Sequence, residues 1–225
     1  MARRLILAID GPAGAGKSTI ARAVAERLGY VYIDTGAMYR AVALWATRLG
    51  VALDDMHRLE RLAIEANIEF AAGASVVLLN GEDVSAEIRT PEISEAASKV
   101  SALPAVRRAL VAAQRRMAAE ASVVMEGRDI GTVVFPEAQV KVFLDASADV
   151  RAARRIGDLE ARGESTGEVA AQIRDRDHRD RTRAEAPLMQ APDATYIDSS
   201  SLSPDGVVEA ILKLVRAKTS NGGIH

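Results

Sequence analysis

The feature that most constrains this chain is a glycine-rich segment close to its N-terminus. Residues 5–9 are all apolar and predict a short buried strand. Residues 11–18 then read GPAGAGKS and match the P-loop pattern G-x4-G-K-S. Apolar residues at helical spacing over 18–28 predict that a helix follows. Strand, loop and helix in this order predict an α/β fold with an anion-binding site at the start of the helix.

Each residue type in this loop has a physical role. Gly11, Gly14 and Gly16 permit backbone conformations and close contacts that a Cβ would obstruct. Lys17 supplies a point charge for the outer phosphates, and the hydroxyl of Ser18 can join phosphate oxygens in holding Mg²⁺. We therefore expect a nucleoside triphosphate to be held by consecutive residues, namely Gly11, Pro12, Ala13, Gly14, Ala15, Gly16, Lys17, Ser18 and Thr19.

Length and composition exclude several classes of protein. The 225 residues suit one α/β domain, with or without a small insertion. A net charge of −2 and 4% aromatic residues disfavour a nucleic-acid-binding module. The chain has no cysteine, which rules out disulfides and thiolate metal sites and fits a reducing compartment. Because no apolar run reaches the ~18 residues that a membrane span needs, we expect a cytoplasmic protein without membrane or nucleic-acid partners.

Further apolar segments predict strands that alternate with helices. These strands are expected at 30–33, 122–125, 140–144 and 194–197. With the first strand they predict a five-stranded, parallel, doubly wound sheet, whose ligands should lie beyond the carboxyl ends of the strands. Glu126 and Asp145 stand at such ends. For Glu126 we favour a partner of Mg²⁺ or water over a simple strand terminator, and for Asp145 both interpretations stay open.

A hairpin signal interrupts this alternation. Residues 67–71 and 75–79 are strand-like, and Asn80-Gly81 after them is a strong signal for a two-residue turn. Because a hairpin is foreign to a plain βαβ series, we interpret residues 67–89 as part of an insertion.

Two arginines near predicted strand ends indicate which kind of molecule would accept a phosphoryl group from the bound nucleoside triphosphate. Arg40 lies shortly after the strand at 30–33, and Arg128 follows the strand at 122–125. Taken alone, Arg40 is equally compatible with a solvated helix position. As a pair that flanks the P-loop strand, the two guanidinium groups imply that the acceptor is itself a phosphate. Thr35 is the expected N-cap of the helix that carries Arg40.

A highly charged helix is predicted over residues 168–183. At helical spacing, Arg176, Asp180 and Arg183 share one face, which can deliver guanidinium charge to a migrating phosphoryl group. We interpret Arg174 and Asp177 as solvated residues that form i,i+4 pairs.

Three more arginines precede the polar loop predicted at 163–167. Arg151, Arg154 and Arg155 are expected to act on the same phosphoryl group from a mobile lid.

From the first strand to the last, the chain resembles the bacterial cytidylate kinases, a family of P-loop nucleoside monophosphate kinases. The matching segments are DGPAGAGKST (10–19), DTGAMYR (34–40), GEDVSAEIRTPEIS (81–94), EGRDIGTVVFP (126–136), FLDAS (143–147) and RDRDHRDRTRAEAPL (174–188). The P-loop is shared with many families, whereas EGRDIGTVVFP together with DRTRAEAPL is far more specific. The resemblance implies a single P-loop kinase domain over 1–225, with a monophosphate-binding insertion at about 35–103 and a lid at about 155–167.

The resemblance also implies roles for individual residues. The acceptor's phosphate would be held by Thr35, where some members carry Ser, and by Arg40 and Arg128. The cytosine edge, an amine donor beside two acceptors, would be read by Ser98, Arg107 and Asp129. The sugar would be contacted by Arg176 and Asp180. The catalytic set at the transferred phosphate would comprise Lys17, Arg128, Arg154 and Arg183.

The implied reaction is transfer of the γ-phosphoryl group of ATP, as its Mg²⁺ complex, to CMP or dCMP by a monomeric enzyme. A kinase for adenylate, guanylate or shikimate is the main alternative, since it shares the P-loop and lid. A signalling GTPase needs an Asn-Lys-x-Asp element, which the sequence lacks. Residues 178–180, His-Arg-Asp, match a protein-kinase motif only by chance, because the Leu and Asn that should follow are missing.

Overall fold

The computed structural model describes residues 4–71, 76–160 and 166–221. The side chains within 155–170, and those of residues 172, 220 and 221, lie outside this description. In the described ranges no helix is long and apolar enough to cross a membrane. The chain divides into two compact units, one formed by Met1–Val31 with Ala121–His225 and the other by Tyr32–Glu120.

Strands and helices alternate along most of the chain, as predicted. In chain order they are β1 (Ile6–Asp10), α1 (Lys17–Leu28), β2 (Val31–Asp34), α2 (Thr35–Arg48), α3 (Met56–Glu65), β3 (Ile68–Ala71), β4 (Val76–Leu79), β5 (Glu82–Asp83), α4 (Pro91–Val100), α5 (Pro104–Met117), β6 (Val123–Gly127), β7 (Val140–Asp145), α6 (Ala148–Glu160), α7 (Thr166–Thr182), β8 (Thr195–Asp198) and α8 (Pro204–Asn221). A short 3₁₀ turn at Glu87–Arg89 precedes α4, and a π-helical turn at Ile130–Val134 follows β6.

The central sheet is parallel and has the strand order β2-β6-β1-β7-β8, which confirms the predicted α/β fold. β1 lies in the middle and pairs with β6 on one side and β7 on the other. These three strands are almost entirely buried, as expected for parallel strands covered on both faces. The register places Asp10 beside Gly127 of β6 and Phe143 of β7. The P-loop therefore leaves the sheet at the carboxyl ends of both neighbours.

The second unit contains the predicted hairpin. β3, β4 and β5 form an antiparallel sheet, and Asn80 and Gly81 have φ angles of 52° and 85°. Positive φ at both central residues is what a two-residue hairpin turn requires, so the prediction is confirmed. The unit spans the whole of the region predicted as an insertion, 35–103, and also includes α5.

The second unit has an apolar core of its own. Leu59 of α3, Val100 of α4 and Leu110 of α5 are at most 1% exposed and belong to one cluster of buried residues. Helices α2 to α5 therefore bury their apolar faces together with the inner face of the hairpin, where Val77 is also buried.

Two predicted boundaries are wrong. Thr35 is not the N-cap of α2 but its first residue, because the carboxylate of Asp34 accepts the N–H of Ala37 at 2.9 Å and takes the capping role. The polar loop expected at 163–167 is misplaced, since α6 ends at Glu160 and α7 already begins at Thr166. Residues 161–165 and the side chains of the predicted lid, 155–167, lie outside the described residues. The lid therefore stays a prediction.

The fully buried Leu59 provides a test of the core of the second unit. Leu59→Ala should lower the free energy of unfolding by about 2–5 kcal/mol, because it removes apolar surface and leaves a cavity. On the same helix, Ile64 is 65% exposed, so Ile64→Ala should change that free energy by no more than about 0.5 kcal/mol. Urea denaturation of both variants measures the difference. Equal losses would contradict the packing described here.

Candidate active site

The P-loop packs tightly against the elements behind it, and two of its glycines are required by this contact. A Cβ on Gly11 would lie 1.9 Å from the carbonyl oxygen of Leu144, the penultimate residue of β7. A Cβ on Gly14, where φ is +76°, would lie 2.8 Å from the carbonyl oxygen of Arg151 in α6. The first distance is sterically impossible. The second is too short to be relieved by a small shift, because the oxygen belongs to the backbone. The loop therefore packs against β7 at Gly11 and against α6 at Gly14.

Lys17 begins α1 and its ammonium group turns back onto the loop. Its Nζ donates to the carbonyl oxygen of Pro12 at 2.7 Å, and the residue is only 6% exposed. Burial, with a smaller contribution from nearby Arg128, lowers the pKa of Lys17 to about 7. Arg176 acts in the same direction, whereas the carboxylate of Glu126 opposes it. The site is thus a desolvated cluster of cations, which favours anionic ligands.

Arg128 lies directly after β6 and forms an ion pair with Asp180 of α7. The guanidinium Nε donates to Asp180 Oδ2 at 2.8 Å. Burial by itself would raise the pKa of the Asp180 carboxyl, but Arg128, Arg176 and Arg183 outweigh it and leave this pKa below its ordinary value. The carboxylate is therefore ionised at neutral pH and partly neutralises the cation cluster. The structure thus brings Arg128, Arg176 and Asp180 close enough to Lys17 to affect its pKa.

Asp129 and Arg183 form a second buried pair in the same unit. The Arg183 guanidinium lies 3.4 Å from Asp129 Oδ1, and both side chains are less than a tenth exposed. The backbone after Asp129 is fixed by Asp10, whose carboxylate accepts the N–H groups of Ile130 at 2.8 Å and Gly131 at 2.7 Å. Burial, opposed by these hydrogen bonds, raises the pKa of Asp10 to about 6.

In the second unit, Arg40 and Arg107 have separate partners. Arg40 donates to Asp34 Oδ2 at 2.8 Å. Arg107 is buried, donates to the carbonyl oxygen of Ser101 at 3.1 Å and lies over the ring of Tyr39, 5.8 Å from its centroid. Arg40 is thus an ion-paired residue with little exposure and not the solvated helix position that was left open.

Thr35 and Ser98 are also buried in this unit, with 4% and 5% of their surface exposed. Among the described residues the Oγ of Ser98 has no hydrogen-bond partner. A buried hydroxyl without a hydrogen-bond partner costs free energy unless a ligand or a water molecule forms that hydrogen bond. This observation supports a binding role for Ser98.

The arginines assigned to the lid contact the P-loop itself. Arg154 donates to the carbonyl oxygen of Ala15 at 3.3 Å and to that of Ser199 at 2.8 Å. Arg151 is 8% exposed and donates to the carbonyl oxygen of Ala13 at 3.0 Å. In the described structure both guanidinium groups therefore brace the P-loop. The Arg155 side chain lies outside the description.

Asp177 is the clearest failure of the sequence-based reasoning. Interpreted as a solvated helix residue, it is only 9% exposed and forms an ion pair with Arg151. Sequence spacing contained a signal for this burial, because Asp177 precedes Asp180 by three residues and so lies on the same side of the helix. Arg174, in contrast, is exposed, as predicted.

The residues at the start of α1 fit a Mg²⁺ ion that binds together with phosphates. The hydroxyl-bearing Ser18 is exposed next to Lys17. Elsewhere in the described part of the chain, no group of three or more His, Cys, Asp or Glu residues could hold a metal by itself. A metal at Ser18 would therefore take most of its oxygen ligands from the nucleotide and water, as Mg²⁺ commonly does.

The P-loop at the end of the central strand, the parallel sheet and the cation cluster around Lys17 define a P-loop phosphotransferase. Comparison with known proteins agrees. The chain matches the family model described as Cytidylate kinase over residues 7–217. The chain belongs to the cytidylate kinase family.

Individual relatives show how far the similarity extends. A cytidylate kinase of Solibacter usitatus is 59% identical over 224 residues, which cover 98% of this chain and 96% of the relative. A cytidylate kinase of Pasteurella multocida is 47% identical over 220 residues, which cover 96% of this chain and 97% of the relative. Among solved structures, an uncharacterized protein from Eubacterium ventriosum aligns with a TM-score of 0.53 and 14% identity, over 95% of this chain and 99% of that one. The last comparison supports the fold alone.

The lowered pKa of Lys17 predicts how a variant of this residue responds to pH. A base with a depressed pKa in the folded state contributes stability above its unfolded pKa, and this contribution is lost as the pH falls through about 7. Lys17→Met removes the buried charge. Relative to the wild type, its free energy of unfolding should rise by about 2 kcal/mol between pH 9 and pH 6. Urea denaturation of the ligand-free proteins at several pH values measures this difference.

Lys213 is an exposed lysine of α8 and supplies the control. Lys213→Met should differ from the wild type by the same small amount at both pH values. A pH-independent difference for Lys17→Met would show that Lys17 is well solvated in the free protein.

Proposed function

We propose that this chain transfers the γ-phosphoryl group of ATP to CMP or dCMP, giving ADP and CDP or dCDP. The observation that carries the proposal is the desolvated cation cluster formed around Lys17 by Arg128 and Arg176. Like charges repel strongly where water is excluded, so this arrangement favours a ligand with several negative charges. The proposal takes its substrate class from the cytidylate kinases that align with nearly the whole chain.

The donor site is the P-loop, from Gly11 to Thr19. Its backbone N–H groups and Lys17 would hold the phosphates of ATP, with the N-terminus of α1 directed at them. Mg²⁺, when bound beside Ser18, would neutralise charge on the phosphate oxygens. Arg151 and Arg154 donate to carbonyl oxygens of the loop and would keep its N–H groups directed at the nucleotide.

The proposed acceptor site follows the roles that the resemblance to the cytidylate kinases implies. The phosphate of CMP would be held by Thr35, Arg40 and Arg128, and the base by Ser98, Arg107 and Asp129. Cytosine presents an amine donor beside two acceptors, so a carboxylate such as Asp129 together with an arginine such as Arg107 complements its edge. Arg176 and Asp180 would contact the sugar. The orphaned hydroxyl of Ser98 is the feature of the second unit that best supports this assignment.

The proposed reaction depends mainly on how the protein positions the reactants and stabilises charge, and little on covalent chemistry by the protein. An oxygen of the acceptor phosphate forms a bond to the γ-phosphorus while the bond from that phosphorus to the bridging oxygen of ADP breaks. The attacking phosphate is already ionised, so no strong general base is needed. Lys17, Arg128, Arg154 and Arg183 would stabilise the charge on the transferred group. Closure of the predicted lid at 155–167 would exclude water, which otherwise accepts the phosphoryl group.

The remaining expectations belong to the same proposal. The partners are small nucleotides, and we expect a monomer that works in the cytoplasm without nucleic-acid or membrane partners. The region at 35–103 would serve as the monophosphate-binding insertion of a single P-loop kinase domain.

A panel of acceptors tests the proposed reaction. With ATP and Mg²⁺, ADP release should be fast with CMP and dCMP and at least 100-fold slower, in kcat/KM, with AMP, GMP or shikimate. A coupled assay for ADP measures all of these rates under identical conditions. Faster turnover of AMP, GMP or shikimate would overturn the cytosine assignment while leaving the P-loop kinase class in place.

Asp129 provides a sharper test of base recognition. Asp129→Asn should reduce the preference for CMP over UMP by at least tenfold, because the amide can donate to the carbonyl oxygen that uracil carries in place of the cytosine amine, whereas a carboxylate can only accept. The KM for ATP should change by less than about threefold, since Asp129 is not part of the P-loop. Steady-state kinetics with both acceptors measure the effect.

The exposed Glu137, which follows the same segment, supplies the matched control. Glu137→Gln should leave both the preference and the KM for ATP unchanged. An unaltered preference in Asp129→Asn would exclude Asp129 from base reading.

A further inference from the structure

Arg151 of α6 and Asp177 of α7 form a buried ion pair behind the P-loop. Arg151 Nη1 donates to Asp177 Oδ2, and the two residues expose only 8% and 9% of their surface. A solvent-exposed pair contributes little, but a pair this buried is costly to break because each charge is left without water or a partner. We therefore treat the pair as one structural unit, the Arg151–Asp177 pair.

This pair holds one residue of the donor loop from both sides. The same guanidinium nitrogen, Nη1, donates to the carbonyl oxygen of Ala13 at 3.0 Å. The N–H of Ala13 in turn donates to Asp177 Oδ1 at 3.4 Å. Both polar backbone groups of Ala13 are thus satisfied by the Arg151–Asp177 pair, in the middle of the segment expected to hold the phosphates.

Arg151 also fixes the pair to the central sheet. Its Nε donates to the carbonyl oxygen of Ala146, directly after β7, at 3.1 Å and lies 3.7 Å from Asp145 Oδ1. The backbone of Arg151 contacts the loop as well, at the position where Gly14 has no Cβ. The guanidinium therefore joins three elements: the P-loop, the end of β7 and α7.

On α7, Asp177 lies between the residues assigned to the substrate. It is adjacent to Arg176, which contributes to lowering the pKa of Lys17, and it precedes Asp180 by three residues. Asp180 pairs with Arg128 at 2.8 Å. A shift of α7 relative to the loop would therefore move Arg176 and Asp180 away from Lys17 at the same time.

We propose that the Arg151–Asp177 pair is a positioning device, which holds the face of α7 that carries Arg176 and Asp180 at a set distance from the P-loop. The two residues form hydrogen bonds with the backbone of Ala13 and Ala146 and with each other. Their role is to keep the donor loop and the cations of α7 aligned for in-line transfer. The inference rests on the proposed function, since it assigns Arg176 and Asp180 to the same reaction.

Asp177→Asn is the informative substitution. The amide keeps the shape of the side chain and an oxygen that can accept from Ala13, but it removes the charge opposite Arg151. We expect kcat to fall by about 10- to 100-fold, because misplacement by a fraction of an ångström to 1 Å is enough for such a loss. The KM values for ATP and the acceptor should change by a smaller factor than kcat, because the P-loop, Arg176 and Asp180 are all retained and the main effect is on their alignment for in-line transfer.

Asp175→Asn is the matched control, because Asp175 is an exposed carboxylate two residues earlier on the same helix. It should leave kcat unchanged. Arg151→Lys keeps the charge but cannot contact Ala13, Ala146 and Asp177 together, so kcat should fall here as well. The double variant Arg151→Lys with Asp177→Asn should lose no more than the worse single variant, as residues that act as one unit do.

The measurement is steady-state kinetics with the acceptor that the wild type uses best, at a temperature well below the melting temperature of each variant. A normal kcat in Asp177→Asn, with only its melting temperature lowered, would reduce the pair to a structural role and overturn the inference. If Asp177→Asn does not fold, a normal kcat in Arg151→Lys overturns it equally. If the wild type prefers an acceptor other than CMP or dCMP, the proposed function is overturned. The kcat values of the variants with that preferred acceptor then still decide the positioning role.

Discussion

Concentration of positive charge in a water-poor site is the physical constraint on which the rest of the first unit depends. Lys17 is almost fully buried, and Arg128 and Arg176 lie close enough to lower its pKa further. Such a cluster is stable only where carboxylates compensate it in the free protein and phosphates compensate it in the complex. In the proposed function, the burial that lowers the pKa of Lys17 is the same property that would make its charge effective on a transferred phosphoryl group.

Helix α7 supplies much of this compensation. Asp180 neutralises Arg128 beside the site, and Asp177 neutralises Arg151 behind the loop. The helix therefore packs through buried ion pairs in addition to apolar side chains such as Ile173. This explains why its sequence is so highly charged although one side of it is buried. It also explains why charge density alone was a poor guide to exposure in this segment.

The predictions that were confirmed rest on chemistry within a few neighbouring residues. The hairpin follows from Asn80 and Gly81, because both tolerate the positive φ that the turn requires. The P-loop follows from its glycines, and the sheet from short apolar segments. Even here a neighbour can compete: Asp34 caps α2 in place of Thr35, since both residue types are good caps and only the observed backbone path decides between them.

The sequence by itself determined the class of fold, the P-loop motif and the family of the chain, because each can be recognised from short stretches of sequence without knowledge of the packing. Only the tertiary structure decided which charged residues are partners. Arg151 meets Asp177 across 26 positions of the chain, and the Asp10 carboxylate accepts the N–H of Ile130 across 120. An arginine or aspartate has the same local pattern whether it faces water or a buried partner. What distinguishes the two cases is the packing of elements that are distant in sequence.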